Sequence, residues 1–171
     1  MKNDSNPPRS EKKTTMEAPK PSAAHRRLNV FLGRWNLEGQ QLEGPFGPAA
    51  KITATQIYEW LAGELFMIQR FDALVDGTQA ACIELVGYDA KSRTYPVQTF
   101  YNNGSTSKWQ LTERDGTWLL TGRSEVGGKP SEVRCTTVFS EVNSLMTGRW
   151  EYSTNGTLWR TFWNVKATKA E

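Results

Sequence analysis

The chain has 171 residues, a net charge of +3, 23% charged and 37% hydrophobic residues, with its apolar mass concentrated in seven Trp, seven Phe and five Tyr. That length builds one domain with a sizeable core and is too short for two ordinary ones. From Leu28 onward 14 basic side chains face 15 acidic ones with no Lys or Arg run, which argues against nucleic-acid binding through a basic face.

Residues 1–21, MKNDSNPPRSEKKTTMEAPKP, are polar, carry four of the eight prolines and show no apolar periodicity. Such a segment cannot bury enough surface to offset its ordering entropy and is expected to be a disordered tail preceding a domain over 22–171. Met16 is an alternative start to Met1. No apolar signal core occurs here, and no window approaches the ~20 apolar residues of a membrane span, so a cytoplasmic protein without a membrane partner is expected.

A helix of about ten residues is predicted from Ser22, which can cap free backbone N–H groups, to a stop at Gly33. Leu28, Phe31 and Leu32 fall at i, i+3 and i+4 and form its apolar stripe. After Gly33 the chain reads as ten short strands: 34–42, 51–61, 64–74, 79–89, 94–102, 106–113, 117–124, 131–140, 144–152 and 158–168. Turn residues separate them, among them DGT at 76–78 and 115–117, NNG at 102–104, GGKP at 127–130 and TNG at 154–156. Asp-Gly and Asn-Gly pairs supply the positive φ that tight hairpins need.

The predicted fold is therefore all-β, an up-and-down antiparallel barrel of about ten strands with one short N-terminal helix. Closure protects the edges of so long a meander. Alternation sets Trp109 and Leu111 against Lys108 and Gln110, and Val133, Cys135, Thr137 and Phe139 against Glu132, Arg134 and Thr136. Ten strands enclose more space than their backbone fills, so the interior holds either packed rings or a cavity.

Gly33-Arg34-Trp35, opening the first strand after a short helix, resembles the Gly-x-Trp of lipocalins in the calycin superfamily. More closely, FLGRW at 31–35, YEWLAGELF at 58–66, ELVGYD at 84–89, TYPVQTFYNNG at 94–104, DGTW at 115–118 and TGRWEYSTNGTLW at 147–159 resemble the bacterial family labelled domain of unknown function 1579. The resemblance spans about His25 to Lys169. It implies a lipocalin-like barrel whose relatives mostly carry small apolar molecules, while a few bind haem or cyclise reactive intermediates. It also implies an arginine laid across the Trp35 ring as a structural plug, with Arg149 and Arg160 as the candidates.

The only histidine, His25, precedes the barrel, so axial haem ligation is not expected and no cofactor is predicted. The same scarcity leaves no zinc site and no Ser-His or Cys-His pair. Cys82 and Cys135 read as reduced, buried thiols. Glu84 lies in ACIELVGYD, where Cys82 and Val86 share its face; it is either an outward carboxylate or, if that face is interior, a desolvated one with a raised pKa. Gln69 shares parity with Met67 and Phe71 and is the likelier interior polar group of its strand, with Arg70 and Asp72 reading as a water-facing pair. Tyr58, Trp60, Tyr101, Trp109 and Trp150 combine apolar area with a hydrogen-bonding atom and read as either cavity lining or plain core.

Three functions follow. The first is binding of a small apolar or aromatic molecule by Tyr58, Trp60, Met67, Gln69, Glu84, Tyr101, Trp109 and Trp150. The second is a cyclase- or isomerase-type enzyme using Glu84 or Tyr101 as acid or base. The third is a ligand-free structural or oligomerising module, a homodimer being one form of it.

Overall fold

The computed structural model describes residues 18–140 and 142–170. Most of the predicted tail, with Met16, lies outside the described residues. The helical segment is shorter and more divided than predicted: α1 covers Ala23–Arg27, and a 3₁₀ turn follows at Leu28–Val30. The tightening has a packing reason, because a three-residue turn brings positions i and i+3 onto one line. Leu28 and Phe31 are so related, and they are 1% and 7% exposed.

Ser22 starts α1, but its partner is unusual. Its backbone N–H donates to His25 Nδ1 at 3.1 Å, and its Oγ lies 2.9 Å from the same nitrogen. Gly33, at φ +107°, then turns the chain into the first strand, in a conformation that a side chain at this position would strain.

Ten strands follow: β1 Gly33–Gln41, β2 Ala50–Trp60, β3 Met67–Val75, β4 Thr78–Val86, β5 Tyr95–Tyr101, β6 Thr106–Arg114, β7 Thr117–Val126, β8 Lys129–Phe139, β9 Leu145–Ser153 and β10 Arg160–Lys169. Each overlaps a predicted strand, and each pairs antiparallel with its sequence neighbours. β1 also pairs with β10, which closes the barrel. Two hairpins show why the turn pairs were informative: Asp76-Gly77 and Asp115-Gly116 have positive φ at both residues, as a type I′ turn requires.

Alternating strand directions give the barrel two distinct ends. α1 and the connections after β2, β4, β6 and β8 occupy one end; those after β1, β3, β5, β7 and β9 occupy the other. The first end is plugged. Trp35, fully buried, donates its indole N–H to the Phe31 carbonyl at 2.7 Å, and the Phe139 ring meets its edge. Phe31 in turn packs edge-on against Trp118 and Phe139, and the Tyr95 hydroxyl donates to the Ala24 carbonyl at 2.9 Å, fixing α1 across the opening.

Candidate functional site

Above this plug the barrel holds a cavity of about 420 Å³, within the range of small-molecule sites. Its wall changes character around the circumference. On the β2–β5 side the register places Tyr58 beside Gln69, Gln69 beside Glu84 and Glu84 beside Thr99, an unbroken row of inward polar side chains. The row nearer the mouth runs Gln56, Phe71, Cys82 and Tyr101. On the opposite side Trp109, Trp150, Phe162 and Trp163 make an aromatic wall, with Trp109 and Trp150 meeting edge to face at 6.1 Å and Trp150 and Trp163 at 6.2 Å.

Local backbone features build the aromatic wall. A bulge in β10 between Thr161 and Trp163 lets the consecutive Phe162 and Trp163 both face the cavity, which strict alternation forbids. Gly122 on β7 leaves room for the Trp109 ring: a Cβ there would lie under 3.0 Å from three indole atoms. At the mouth, the β1–β2 loop folds over this wall, and Phe46 stacks on Phe162 at 4.3 Å. Gln41 ties the two together, donating to the Pro48 carbonyl at 2.9 Å and accepting the Trp163 indole N–H at 3.0 Å. Asn102 and Asn103 line the cavity from the β5–β6 turn.

Among the described residues Glu84 is the only carboxylate on the cavity wall, and no Lys, Arg or His shares that wall. Thr99 donates to its Oε1 at 2.8 Å. Desolvation pushes its carboxyl above the ordinary range, with the Thr99 hydrogen bond opposing. Burial likewise raises the Tyr58 hydroxyl, the nearby Glu84 charge adding to it, and raises Tyr101. The thiols of Cys82 and Cys135, both on the cavity wall, are pushed up to about 12, chiefly by burial. Gln56 Oε1 is buried without a hydrogen-bond partner among the described residues.

Seven of the eight predicted ligand-binding residues, Tyr58, Met67, Gln69, Glu84, Tyr101, Trp109 and Trp150, therefore come together around one cavity. Trp60 does not. It shares the parity of Tyr58 but lies beyond the plug, where its indole N–H donates to Asn29 Oδ1 at 2.9 Å. The cation over Trp35 is also different from the one expected: Arg149 and Arg160 are exposed, whereas Lys169 Nζ sits 5.4 Å from the Trp35 ring centroid. The reason is register, since Trp35 faces Lys169 across the closing strand pair, while Arg149 pairs with Asn164 and Arg160 with Tyr152. Arg70 pairs with Glu59 at 3.0 Å rather than with Asp72.

Gln56, Thr99, Phe162 and Trp163 were not singled out in the sequence. Thr99, Gln56 and Trp163 carry the inward parity of Tyr101, Tyr58 and Val165 and were legible in principle; the bulge hid Phe162. His25 lies at the plugged end and is not part of the cavity wall. No group of three or more His, Cys, Asp or Glu among the described residues could hold a metal ion, and no described helix is long and apolar enough to cross a membrane.

A closed up-and-down barrel, plugged by a helix at one end and hollow at the other, is a lipocalin-like fold. The chain belongs to the family described as Protein of unknown function (DUF1579), whose model matches residues 20–112. Among solved structures it is similar to the S-type phycobiliprotein lyase CPES from Guillardia theta, at 9% identity and a TM-score of 0.59, over 88% of this chain and 94% of that one. No curated protein matches the chain.

Proposed function

We propose that the barrel binds a small, largely apolar or aromatic molecule. The observation that carries this reading is the cavity of about 420 Å³ with rings on one wall and a row of hydrogen-bonding side chains on the other. Apolar walls supply affinity through burial, and a few fixed polar groups supply orientation. An open interior of this size also weighs against a module whose core is filled. The lipocalin-like fold shared with the phycobiliprotein lyase is compatible with the reading. Native mass spectrometry of protein purified from its own host tests it. The wild type is expected to carry an adduct that is released on denaturation, and Ala80→Trp, which fills the cavity near its mouth, to lose it. An empty wild type that shows no thermal shift with any of a panel of apolar ligands contradicts the reading.

Glu84 favours a second reading. A carboxyl whose pKa is raised by burial is suited to general acid or base work on a bound substrate. In that case Glu84→Gln abolishes conversion of the co-purifying molecule while leaving its binding in place.

A further inference from the structure

We propose that the cavity selects a small aromatic amine, held by its cationic nitrogen at Glu84, and rejects anionic ligands; this rests on the binding reading above and narrows it. Three features of the wall converge on that chemistry.

The first is the charge inventory. Among the described residues Glu84 is the sole carboxylate on the wall, with no basic side chain to meet it. An ionised carboxyl enclosed without a countercharge is costly, and a cation delivered by the ligand removes that cost. An anionic ligand meets the reverse situation: it gives up its hydration for a space that offers no positive group and whose carboxyl can only add negative charge.

The second is an excess of open acceptors. Thr99 donates to Oε1 of Glu84, and a carboxylate with two oxygens retains acceptor capacity beyond that one bond. Gln56 Oε1, one row nearer the mouth, is buried and has no hydrogen-bond partner among the described residues. Both call for a donor, and an ammonium group has three N–H bonds and no acceptor.

The third is the facing wall. The mutually edge-on rings of Trp109, Trp150 and Trp163 provide flat apolar surface for an aromatic body. Their π faces also attract rather than repel positive charge. A lone carboxylate does not make a metal site, so the cation it fits is organic.

Three probes that share one ring system separate the possibilities: tryptamine, neutral 3-propylindole and anionic indole-3-propionate, each titrated calorimetrically near neutral pH into wild type and Glu84→Gln. In the wild type tryptamine is expected to bind at least about tenfold more tightly than indole-3-propionate, with 3-propylindole between them. Glu84→Gln, nearly isosteric, is expected to erase the advantage of tryptamine over 3-propylindole while leaving 3-propylindole binding within about threefold. The wild-type ranking needs no variant to fold. If indole-3-propionate binds as tightly as tryptamine, or if Glu84→Gln leaves the amine preference intact, the inference is overturned. Binding of 3-propylindole with no amine preference overturns it while sparing the broader binding reading. Failure of all three probes to bind overturns the amine inference, and the broader reading falls with it only if the wild type also carries no co-purifying molecule.

Discussion

Lys169 and Trp35 are cross-strand partners where β10 closes onto β1, and the lysine ammonium lies 5.4 Å from the centre of the indole ring. This contact joins the last strand to the plug under the first, so barrel closure and the sealing of one end depend on the same pair. Trp35→Ala removes a fully buried ring and its hydrogen bond to Phe31, and is expected to destabilise the protein by about 3–5 kcal/mol. Lys169→Ala, at an exposed site, is expected to lose about 0.5–1 kcal/mol. Arg149→Ala and Arg160→Ala, which leave this contact alone, should stay within about 0.5 kcal/mol of wild type. Urea denaturation of the four variants gives the comparison.

Glu84 predicts a distinctive pH dependence. Its folded-state pKa is raised by burial, so the folded protein retains a proton at pH values where the unfolded chain has released it. Its favourable contribution is complete below the unfolded value of about 4.3 and is lost as pH rises through the folded pKa. His25 acts in the opposite sense: burial lowers its pKa, so its contribution is lost as pH falls below about 6.5. The difference between wild type and Glu84→Gln isolates the carboxyl. The variant is expected to gain stability relative to wild type as pH rises above about 4.3, the gain levelling off above the folded pKa. A pH-independent difference would refute the assignment.

Gly122 sets the position of one wall of the cavity. Gly122→Ala places a Cβ against the Trp109 indole and forces the ring to move. A stability loss of about 1–3 kcal/mol is expected, the usual scale of overpacking. Because Trp109 touches Trp150 edge to face, the near-ultraviolet circular dichroism should change as well. An unchanged aromatic spectrum would place Trp109 elsewhere.

The two cysteines should be poor nucleophiles despite facing the cavity. With their thiols pushed up to about 12, thiolate is scarce near neutral pH. Native protein is expected to react with a disulfide reagent about two to three orders of magnitude more slowly than a free thiol, and denatured protein to release both groups promptly. Rapid titration of either cysteine in the native state is the contrary result.

The strand order was legible because hairpin chemistry is local: Asp76-Gly77 and Asp115-Gly116 announce positive φ without reference to the rest of the chain. Glu84 and Gln69 were legible only as alternatives, since parity groups residues by face and does not say which face is inside. Once closure fixes the inside, both enter the same polar row. Three things depended on long-range geometry that no local pattern contains. The bulge at Thr161–Trp163 broke the alternation and brought Phe162 to the wall beside Trp163, whose own parity with Val165 and Ala167 is regular. Trp60 has the inward parity but sits past the plug, which depth along the strand decides. The lipocalin resemblance points to an arginine over Trp35, whereas the register between first and last strands places Lys169 there.

Occupation of the barrel is most directly read from the seven tryptophans of the chain, whose indole N–H resonances can be followed by nitrogen-15 NMR while unlabelled 3-propylindole is added. Only Trp109, Trp150 and Trp163 line the cavity. Their three resonances are expected to shift and saturate together, with those of Trp35, Trp60, Trp118 and Trp159 moving little. Shifts confined to the second group, or none in the first at saturating ligand, would contradict a ligand-binding barrel.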